Sequence, residues 1–168
     1  MFDPYGFWLA DLSTNNTQLL REGLGKFATG VTVVTCQGRD GPCGITANSF
    51  SSVSLLPPRV LWNIDKASTT LQAYLDAEHF AINVLSTEQQ LLSAFFARTQ
   101  RCTFDEVEHT LSGHGVPVLK GVLACFECRT YDVIECGDHF IIIGDVEDFH
   151  FADGEPLLFF NSRYHWLR

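Results

Sequence analysis

The chain has 168 residues, of which 46% are hydrophobic and 18% are charged. A chain of this size and apolar content can bury one core, so a single domain over residues 1–168 is predicted. The 20 acidic residues outnumber the 11 basic ones and give a formal net charge of −9. This balance argues against nucleic acid as a partner, because binding a phosphate backbone requires basic stripes.

The N-terminal segment MFDPYGFWLADL carries Asp3 and Asp11 where a secretory signal would carry lysine or arginine. No uncharged run approaches the ~18 residues that a membrane span needs. We therefore expect residues 1–13 to be an N-terminal extension of a cytoplasmic protein with no membrane partner. Without an export signal, free thiols are the default expectation for the six cysteines.

A helix and a hairpin are predicted in the first third of the chain. The segment NNTQLLREGLGKFATG places Leu19, Leu20, Leu24 and Phe27 on one helical face, with Asn or Thr as a cap before it and Gly30 after it. We expect this helix to cover one end of the core. The next segments predict a strand in GVTVVTCQ, a turn in GRDGP and a partner strand in CGITANSF.

Strands and helices alternate in the middle third, and two long strands follow. RVLWNI and HFAINVL are predicted strands, while ASTTLQAYLDAE and STEQQLLSAFFA are predicted helices, the second opening with a Ser or Thr cap. The segment GVLACFECRTYDVIECGDHFIIIGDV predicts two strands that meet near residues 136–138, and LLFF predicts a final strand. Together, these elements predict a mostly β protein that consists of an antiparallel sheet with a few helices. So many short strands favour a closed barrel, since closure removes exposed strand edges.

Four residues have the spacing of a zinc knuckle. Cys125, Cys128, Cys136 and His139 read C-x-x-C, seven residues, then C-x-x-H. The strand context opposes a shared metal, because Cys125 and Cys128 differ in parity and their side chains leave opposite faces of a strand. No Gly or Pro lies between them to form a turn. We predict buried free thiols and no metal, with a zinc-dependent interaction module as an alternative.

An uncharged polar stretch, GITANSFSSVSLLPP, covers residues 44–58. Its short hydroxyl and amide groups could simply satisfy local backbone groups in turns. Alternatively, they line a polar, uncharged ligand, and an isoalloxazine ring with its ribityl chain has the required mixture of a flat apolar surface and many hydrogen-bonding atoms. No G-x-G-x-x-G follows a strand, which excludes a dinucleotide-binding fold of the Rossmann type. A phosphate would have to be held by hydroxyls, amides and Lys66.

The segment KASTT, residues 66–70, places a cation and three hydroxyl groups at a predicted helix N-terminus. Exposed N–H groups and the helix dipole favour a phosphate at such a position. A Ser or Thr there is also an ordinary helix N-cap, so the pattern is compatible with both interpretations.

An ordered set of segments resembles the short-chain flavin reductase family. These segments are GLGKFATGVTVVT, GITANSFSSVSLLPPRVLWNI, HFAINVLS, LSAFFA, GVLACFEC, GDHFIIIGDV and PLLFFNSRY, and they extend from about Leu20 to Tyr164. The resemblance implies a six-stranded antiparallel split barrel of the FMN-binding type, with Greek-key connections, that acts as a homodimer. It also implies an NAD(P)H:flavin oxidoreductase that transfers hydride from NADH or NADPH to FMN or FAD. The reduced flavin would be supplied to a partner monooxygenase.

The resemblance further assigns site residues at the matching positions. The flavin would lie against Gly44, Ile45, Thr46, Asn48, Ser49, Asn63, Ile64 and Asp65. Its phosphate would be held near Lys66, Ser68, Thr69 and Thr70, and its distal part would approach Phe95 and Phe96. The nicotinamide nucleotide would contact Phe159, Phe160, Asn161 and Ser162, where Ser162 replaces a glycine that is usual in the family. His139, in the motif GDH, would lie beside the nicotinamide as the catalytic candidate, positioning it electrostatically.

Other interpretations of these residues remain open at this point. Periodicity alone assigns Phe95 and Phe96 to the core, and His139 to a turn in which it binds backbone. The alternative function is a non-catalytic flavin-binding carrier or sensor of a related split-barrel family, because no residue pattern by itself requires nicotinamide binding.

Overall fold

The computed structural model of the chain describes Pro4, residues 17–98 and residues 104–167. Apart from Pro4, the predicted N-terminal extension lies outside this part of the chain, and so does any cap before residue 17. Within the described ranges, no helix is long and apolar enough to cross a membrane.

The helices lie where the sequence predicts them. They are α1 (Thr17–Leu24), α2 (Leu71–Asp76) and α3 (Gln90–Arg98), and a short 3-10 helix (Thr87–Gln89) leads into α3. Ser86 and Gln89 form a reciprocal capping box at the start of the 3-10 helix that leads into α3. However, α1 has no buried residue, so the expectation that it covers the core is wrong for the single chain. Its periodicity identified an apolar face but not the surface that this face would contact.

Twelve strands make up most of the described structure. They are β1 (Thr29–Gly30), β2 (Thr32–Gly38), β3 (Gly41–Ala47), β4 (Ser51–Leu55), β5 (Pro58–Asp65), β6 (His79–Val84), β7 (His109–Leu111), β8 (Pro117–Leu119), β9 (Ala124–Cys136), β10 (His139–Phe151), β11 (Leu158–Phe160) and β12 (Arg163–His165).

The main sheet is antiparallel and has the order β3-β2-β6-β9-β10-β5-β4. Smaller sheets are formed by β1-β11-β12 and by β7-β8. Hairpins β2–β3, β4–β5 and β9–β10 are joined by crossover connections, which confirms the predicted mostly β, Greek-key architecture. The main sheet has seven strands where six were expected, because the polar segment Ser51–Leu55 also pairs as an edge strand, β4, against β5.

The barrel is split between its edge strands β3 and β4, which are consecutive in sequence but are not paired with each other. Residues 48–50 cross the gap. Ser49 Oγ accepts a hydrogen bond from Asn63 N at 2.9 Å and lies 3.3 Å from Asn63 O. The Ser49 side chain thus makes both contacts with the Asn63 backbone that a paired strand would otherwise make. The fully closed barrel that the number of strands favoured is not formed.

The core consists of two clusters of buried residues. One contains Trp62, Tyr74, Phe80 and Cys128, and the other contains Phe96 and Cys125 among its members. The assignment of Cys125 and Cys128 to different clusters confirms the parity prediction. Cys125 and Cys136 lie near opposite ends of β9, about 35 Å apart at the rise of an extended strand, which is too far for a shared metal ion.

Among the described residues, Cys36, Cys125, Cys128 and Cys136 are free thiols. Cys136 is exposed, so the prediction of a buried thiol is wrong at this residue, which ends β9 beside the turn. Cys43, in contrast, is disulfide-bonded, so the expectation of free thiols is wrong at this residue. A disulfide requires Cβ atoms about 4 Å apart in the folded chain, and neither spacing along the sequence nor the cellular compartment determines that distance.

Thiol reactivity should follow burial. Desolvation raises the pKa of Cys36 and of Cys125 to about 12 and raises that of Cys128 as well, whereas Cys136 is exposed. Because the thiolate is the reactive form, we expect iodoacetamide at neutral pH to alkylate Cys136 in the native protein and the three buried cysteines only after unfolding. Peptide mapping by mass spectrometry measures this. Native labelling of Cys125 at the rate of Cys136 would contradict it.

Candidate functional site

A concave site of about 1050 Å³, which we call the groove, lies on the described part of the chain. Four parts of the chain form its wall: α1 with the segment after it up to Thr29, residues 48–51, Asn63 of β5, and the β11–β12 hairpin. Five of the predicted site residues line it, namely Asn48, Ser49, Asn63, Phe159 and Ser162. The groove therefore brings Asn48, Ser49 and Asn63, at the split in the barrel, together with Phe159 and Ser162 of the β11–β12 hairpin.

Two buried polar atoms on the wall of the groove have no hydrogen-bond partner among the described residues. They are Thr29 Oγ1 and Asn63 Oδ1. A buried polar group without a partner costs about 1–3 kcal/mol, and most such groups in native proteins are satisfied. Because both residues line the groove, a rotation of either side chain would present its polar atom to an uncharged polar ligand there.

Most hydroxyl groups of the 44–58 stretch bind the protein itself. Thr46 Oγ1 donates to Ser93 O at 2.7 Å, Ser51 Oγ donates to Ser52 O at 3.2 Å, and Ser54 Oγ donates to Pro57 O. Together with Ser49, these residues behave as the local-backbone interpretation predicts. The groove is therefore lined by the two amides of Asn48 and Asn63 and by separate hydroxyl residues, and not by a continuous row of free hydroxyls.

A second, smaller cavity of about 250 Å³, the side cavity, contains another group of predicted residues: Gly44, Ile45, Asp65, Ser68, Thr70 and Phe96. The hydroxyls of Ser68 and Thr70 lie 3.0 Å apart, and Thr70 precedes α2 without a side-chain cap bond. Among the described residues, the wall mixes apolar side chains with Asp65, Ser68 and Thr70, and it carries no lysine or arginine. Its chemistry suits a polar group held by hydroxyls and backbone.

Lys66 does not line either cavity. Its Nζ lies 2.6 Å from Glu135 Oε1 and 2.6 Å from Gly137 O. The hydrogen bond from Lys66 lowers the pKa of the Glu135 carboxyl. Lys66, which the sequence suggested as a phosphate ligand, is therefore bound to the β9–β10 turn.

His139 lies at the same turn, as the first residue of β10. Its Nδ1 lies 2.7 Å from Asp138 Oδ1, and this contact lowers the pKa of the Asp138 carboxyl. Because an ionised carboxylate only accepts, Nδ1 carries the proton and Nε2 is left for another partner. His139 pairs with Asp65 across the sheet, which places it beside the strand that also carries Asn63.

The remaining predicted residues are divided between the core and the surface. Ile64 and Phe96 are buried in the core, and Phe95 packs against it, as periodicity alone indicates for the two phenylalanines. Thr69 is exposed. Phe160 contacts the ring of His165, and Asn161 Oδ1 accepts a hydrogen bond from Lys26 Nζ at 2.9 Å.

The β11–β12 turn has a left-handed backbone at two consecutive residues, with φ of 49° at Asn161 and 59° at Ser162. This is the conformation of a two-residue type I′ hairpin turn, in which glycine is favoured at the second position. Ser162 therefore holds a backbone conformation that is unfavourable for a residue with a side chain.

Replacing Ser162 by glycine should raise the free energy of unfolding by up to about 1 kcal/mol. The matched control is Ser52→Gly, which introduces the same change in strand β4, where glycine should destabilise. Urea unfolding of both variants measures the two effects. A shift of both variants in the same direction would refute this explanation.

Several residues that line the groove were not among the predicted site residues. Arg21, Phe27, Thr29 and Phe50 all lie on its wall, although the sequence indicated only a helical face for Phe27 and a place in the family segments for Thr29 and Phe50. Thr29 in particular reaches the groove because β1 pairs with β11, a contact between residues far apart in sequence.

Comparisons with known proteins agree on one family. Residues 24–168 match the family model described as the flavin reductase like domain. The FMN reductase (NADH) SmoA of Agrobacterium fabrum is 49% identical over 144 residues, which cover 86% of this chain and 82% of that protein. The reductase component of the flavin-dependent trigonelline monooxygenase of Acinetobacter baylyi is 44% identical over 153 residues, but these cover only 49% of its length against 90% of this chain.

A solved structure is similar over nearly all of the chain. The NADH:FAD oxidoreductase SgcE6 of Streptomyces globisporus, in complex with NAD and FAD fragments, superposes with a TM-score of 0.90 at 36% identity. The match covers 96% of this chain and 98% of that one.

Proposed function

Because the chain belongs to the family of flavin reductase like domains, we propose that it is an NAD(P)H-dependent flavin reductase acting on FMN or FAD. The observation that carries this proposal is the pair of buried, unpartnered atoms on the groove wall, Thr29 Oγ1 and Asn63 Oδ1. A flavin or nicotinamide ring is uncharged at most of its edge and has the amide and carbonyl groups that such atoms bind.

The groove offers both kinds of surface that these ligands need. Phe27, Phe50 and Phe159 provide apolar contact area, and Asn63 and Thr29 provide polar contacts. The side cavity, with Ser68 and Thr70, would hold a polar extension such as the flavin phosphate.

When bound, the two nucleotides supply the redox chemistry, a hydride passing from the nicotinamide to the flavin. The chain needs no nucleophile for this. Its work is to hold the rings in register and to exclude water, which the rigid β5 backbone, fixed to Ser49, and the apolar groove wall can do. Asp138 holds the His139 ring by its Nδ1. His139 lines neither the groove nor the side cavity, so its proposed contact with the nicotinamide rests on the family resemblance.

Replacing His139 by alanine should slow hydride transfer on the order of ten- to a hundredfold, because a poorly positioned ring pair reacts slowly, while flavin affinity is retained. Stopped-flow flavin reduction and a flavin titration measure the two quantities separately. His150→Ala, at an exposed position on the same strand, is the matched control. Unchanged hydride transfer and unchanged nicotinamide affinity in the His139 variant would remove His139 from the site.

We also propose that the chain forms a homodimer that completes the groove. Leu24 and Phe27 line the groove and are 66% and 78% exposed. Burying such side chains against a second copy would contribute about 25 cal/mol per Å² of apolar surface. Sedimentation of the wild type and of Phe27→Ser tests this, and a monomeric wild type would contradict it.

The decisive experiment mixes the protein with NADH or NADPH and with FMN, FAD or riboflavin. Protein-dependent loss of the reduced nicotinamide absorbance supports the reductase. Tight flavin retention without nicotinamide oxidation would instead indicate the carrier or sensor. The names of the relatives support a further step, the supply of reduced flavin to a partner oxygenase, and coupling to such a component tests it.

A further inference from the structure

Three side chains that commonly bind metals converge at the surface, away from the groove and the side cavity. His79 begins β6, Glu147 lies in β10, and His114 lies between β7 and β8. Their candidate ligand atoms all lie within 4.8 Å of one another. The cluster therefore joins three segments of the chain.

The distances within this cluster match a metal site better than a hydrogen-bonded one. Glu147 Oε2 lies 3.4 Å from His79 Nε2 and 3.5 Å from His114 Nε2. Both are longer than the 2.7–3.2 Å of an N–H···O hydrogen bond. Around a tetrahedral zinc ion with bonds of ~2.1 Å, two ligand atoms stand about 3.4 Å apart.

The position of Glu147 depends on a β-bulge. The pairing of β10 with β9 shifts register between Val146 and Asp148, which leaves Glu147 without a partner in the ladder. Bulges often redirect a side chain beside a functional site. Arg129 Nε donates to Glu147 Oε1 at 3.1 Å, so that the other carboxylate oxygen faces the imidazoles. Metal-binding carboxylates are usually oriented by such a partner.

The two imidazole rings are held side by side. Their centroids are 4.0 Å apart and their planes differ by 7°, so both rings would have to rotate out of this stack for their Nε2 lone pairs to converge on one ion. The turn that carries His114 is fixed by Ser112 Oγ, which accepts hydrogen bonds from His114 N at 3.2 Å and Val116 N at 3.1 Å. The His114 side chain is half exposed, which leaves room for a water molecule as a fourth ligand.

We propose that His79, His114 and Glu147 form a mononuclear zinc site that fastens the turn between β7 and β8 to the main sheet. Two imidazoles and one carboxylate, with water in the fourth position, are a ligand set that suits Zn²⁺. The site lies apart from the groove and its role is structural. It is independent of the proposed reductase activity.

The test uses the full chain without an affinity tag, stripped with a chelator and dialysed against Zn²⁺. Metal analysis should find one zinc ion per chain. The variants His79→Ala, His114→Ala and Glu147→Gln should each bind zinc at least about tenfold more weakly. The matched controls His150→Ala and Cys136→Ser should bind as the wild type does. Co²⁺ in place of zinc should give a spectrum without a sulfur-to-cobalt charge-transfer band.

A second measurement needs no variant. Zinc should slow amide hydrogen exchange at residues 112–116 of the wild type, because it fixes the turn to β6 and β10. The proposal is overturned if the wild type binds no stoichiometric zinc, or if binding survives all three substitutions. It is equally overturned if binding is lost in Cys136→Ser or if exchange in the turn is unchanged by zinc.

Discussion

Replacing Gly44 by alanine should destabilise the protein by about 1–3 kcal/mol and weaken flavin binding at the same time. A Cβ atom on Gly44 would lie 2.5 Å from Phe96 Cε1 and 2.7 Å from Phe96 Cδ1. Phe96 is buried and packs against Phe95 and Phe104, so its ring cannot move aside without disturbing the core. The same ring and Gly44 both line the side cavity, which links the stability effect to the ligand.

A double-mutant cycle tests this prediction. Phe96→Leu removes the atoms that the new methyl group would meet, so the double variant should cost less than the sum of the single variants. Gly30→Ala is the control, because a Cβ atom there has nothing within 4 Å. Urea unfolding and flavin titration are measured on the wild type and on all four variants. If Gly44→Ala unfolds and binds flavin as Gly30→Ala does, the close packing at Phe96 is not as the structure has it.

Replacing Trp62 by alanine should destabilise the protein by about 3–5 kcal/mol, which is a large fraction of a typical domain's stability. Trp62 is fully buried. Its ring packs edge-on against Tyr74 at 4.9 Å between centroids and also contacts Phe80. Loss of the indole leaves a cavity that neighbouring strands of the barrel cannot fill by a simple collapse.

Trp62→Phe should cost clearly less than Trp62→Ala. Trp62 Nε1 has no hydrogen-bond partner in the part of the chain that is described, so phenylalanine loses volume but no hydrogen bond. Trp166→Ala, which truncates an exposed indole, should be close to neutral. Thermal and denaturant unfolding rank the three variants. Equal losses for Trp62→Phe and Trp62→Ala would mean that the indole N–H, and not packing, stabilises this position.

The core residue Trp62 and the groove residue Asn63 are neighbours on β5, so core packing supports the groove. Along β5, Val60, Trp62 and Ile64 face the core, and the alternation of a strand directs Asn63 to the other side. The packing of Trp62 in the core therefore fixes the position of the adjacent Asn63 side chain in the groove wall. We expect variants at Trp62 to lose flavin affinity before they lose the fold.

Local patterns in the sequence were sufficient for most secondary structure. Short runs rich in β-branched and aromatic residues, bounded by turn residues, predicted β2, β5, β6 and the β9–β10 hairpin, and strand parity correctly separated Cys125 from Cys128. Residues 51–55 were not assigned to a strand of their own, because an edge strand of serines lacks the apolar alternation on which such a prediction depends. Motif resemblance gave the family and the split barrel.

What the sequence determined by itself is the set of local elements and the family, because periods of 2 and 3.6 residues and short motifs are fixed within a few positions. Only the tertiary structure decided which groups meet. Lys66 contacts Glu135 instead of a phosphate site, Thr29 joins Asn63 in the groove, and Cys43 forms a disulfide. Strand order and register set these contacts across tens of residues, and no local pattern encodes them.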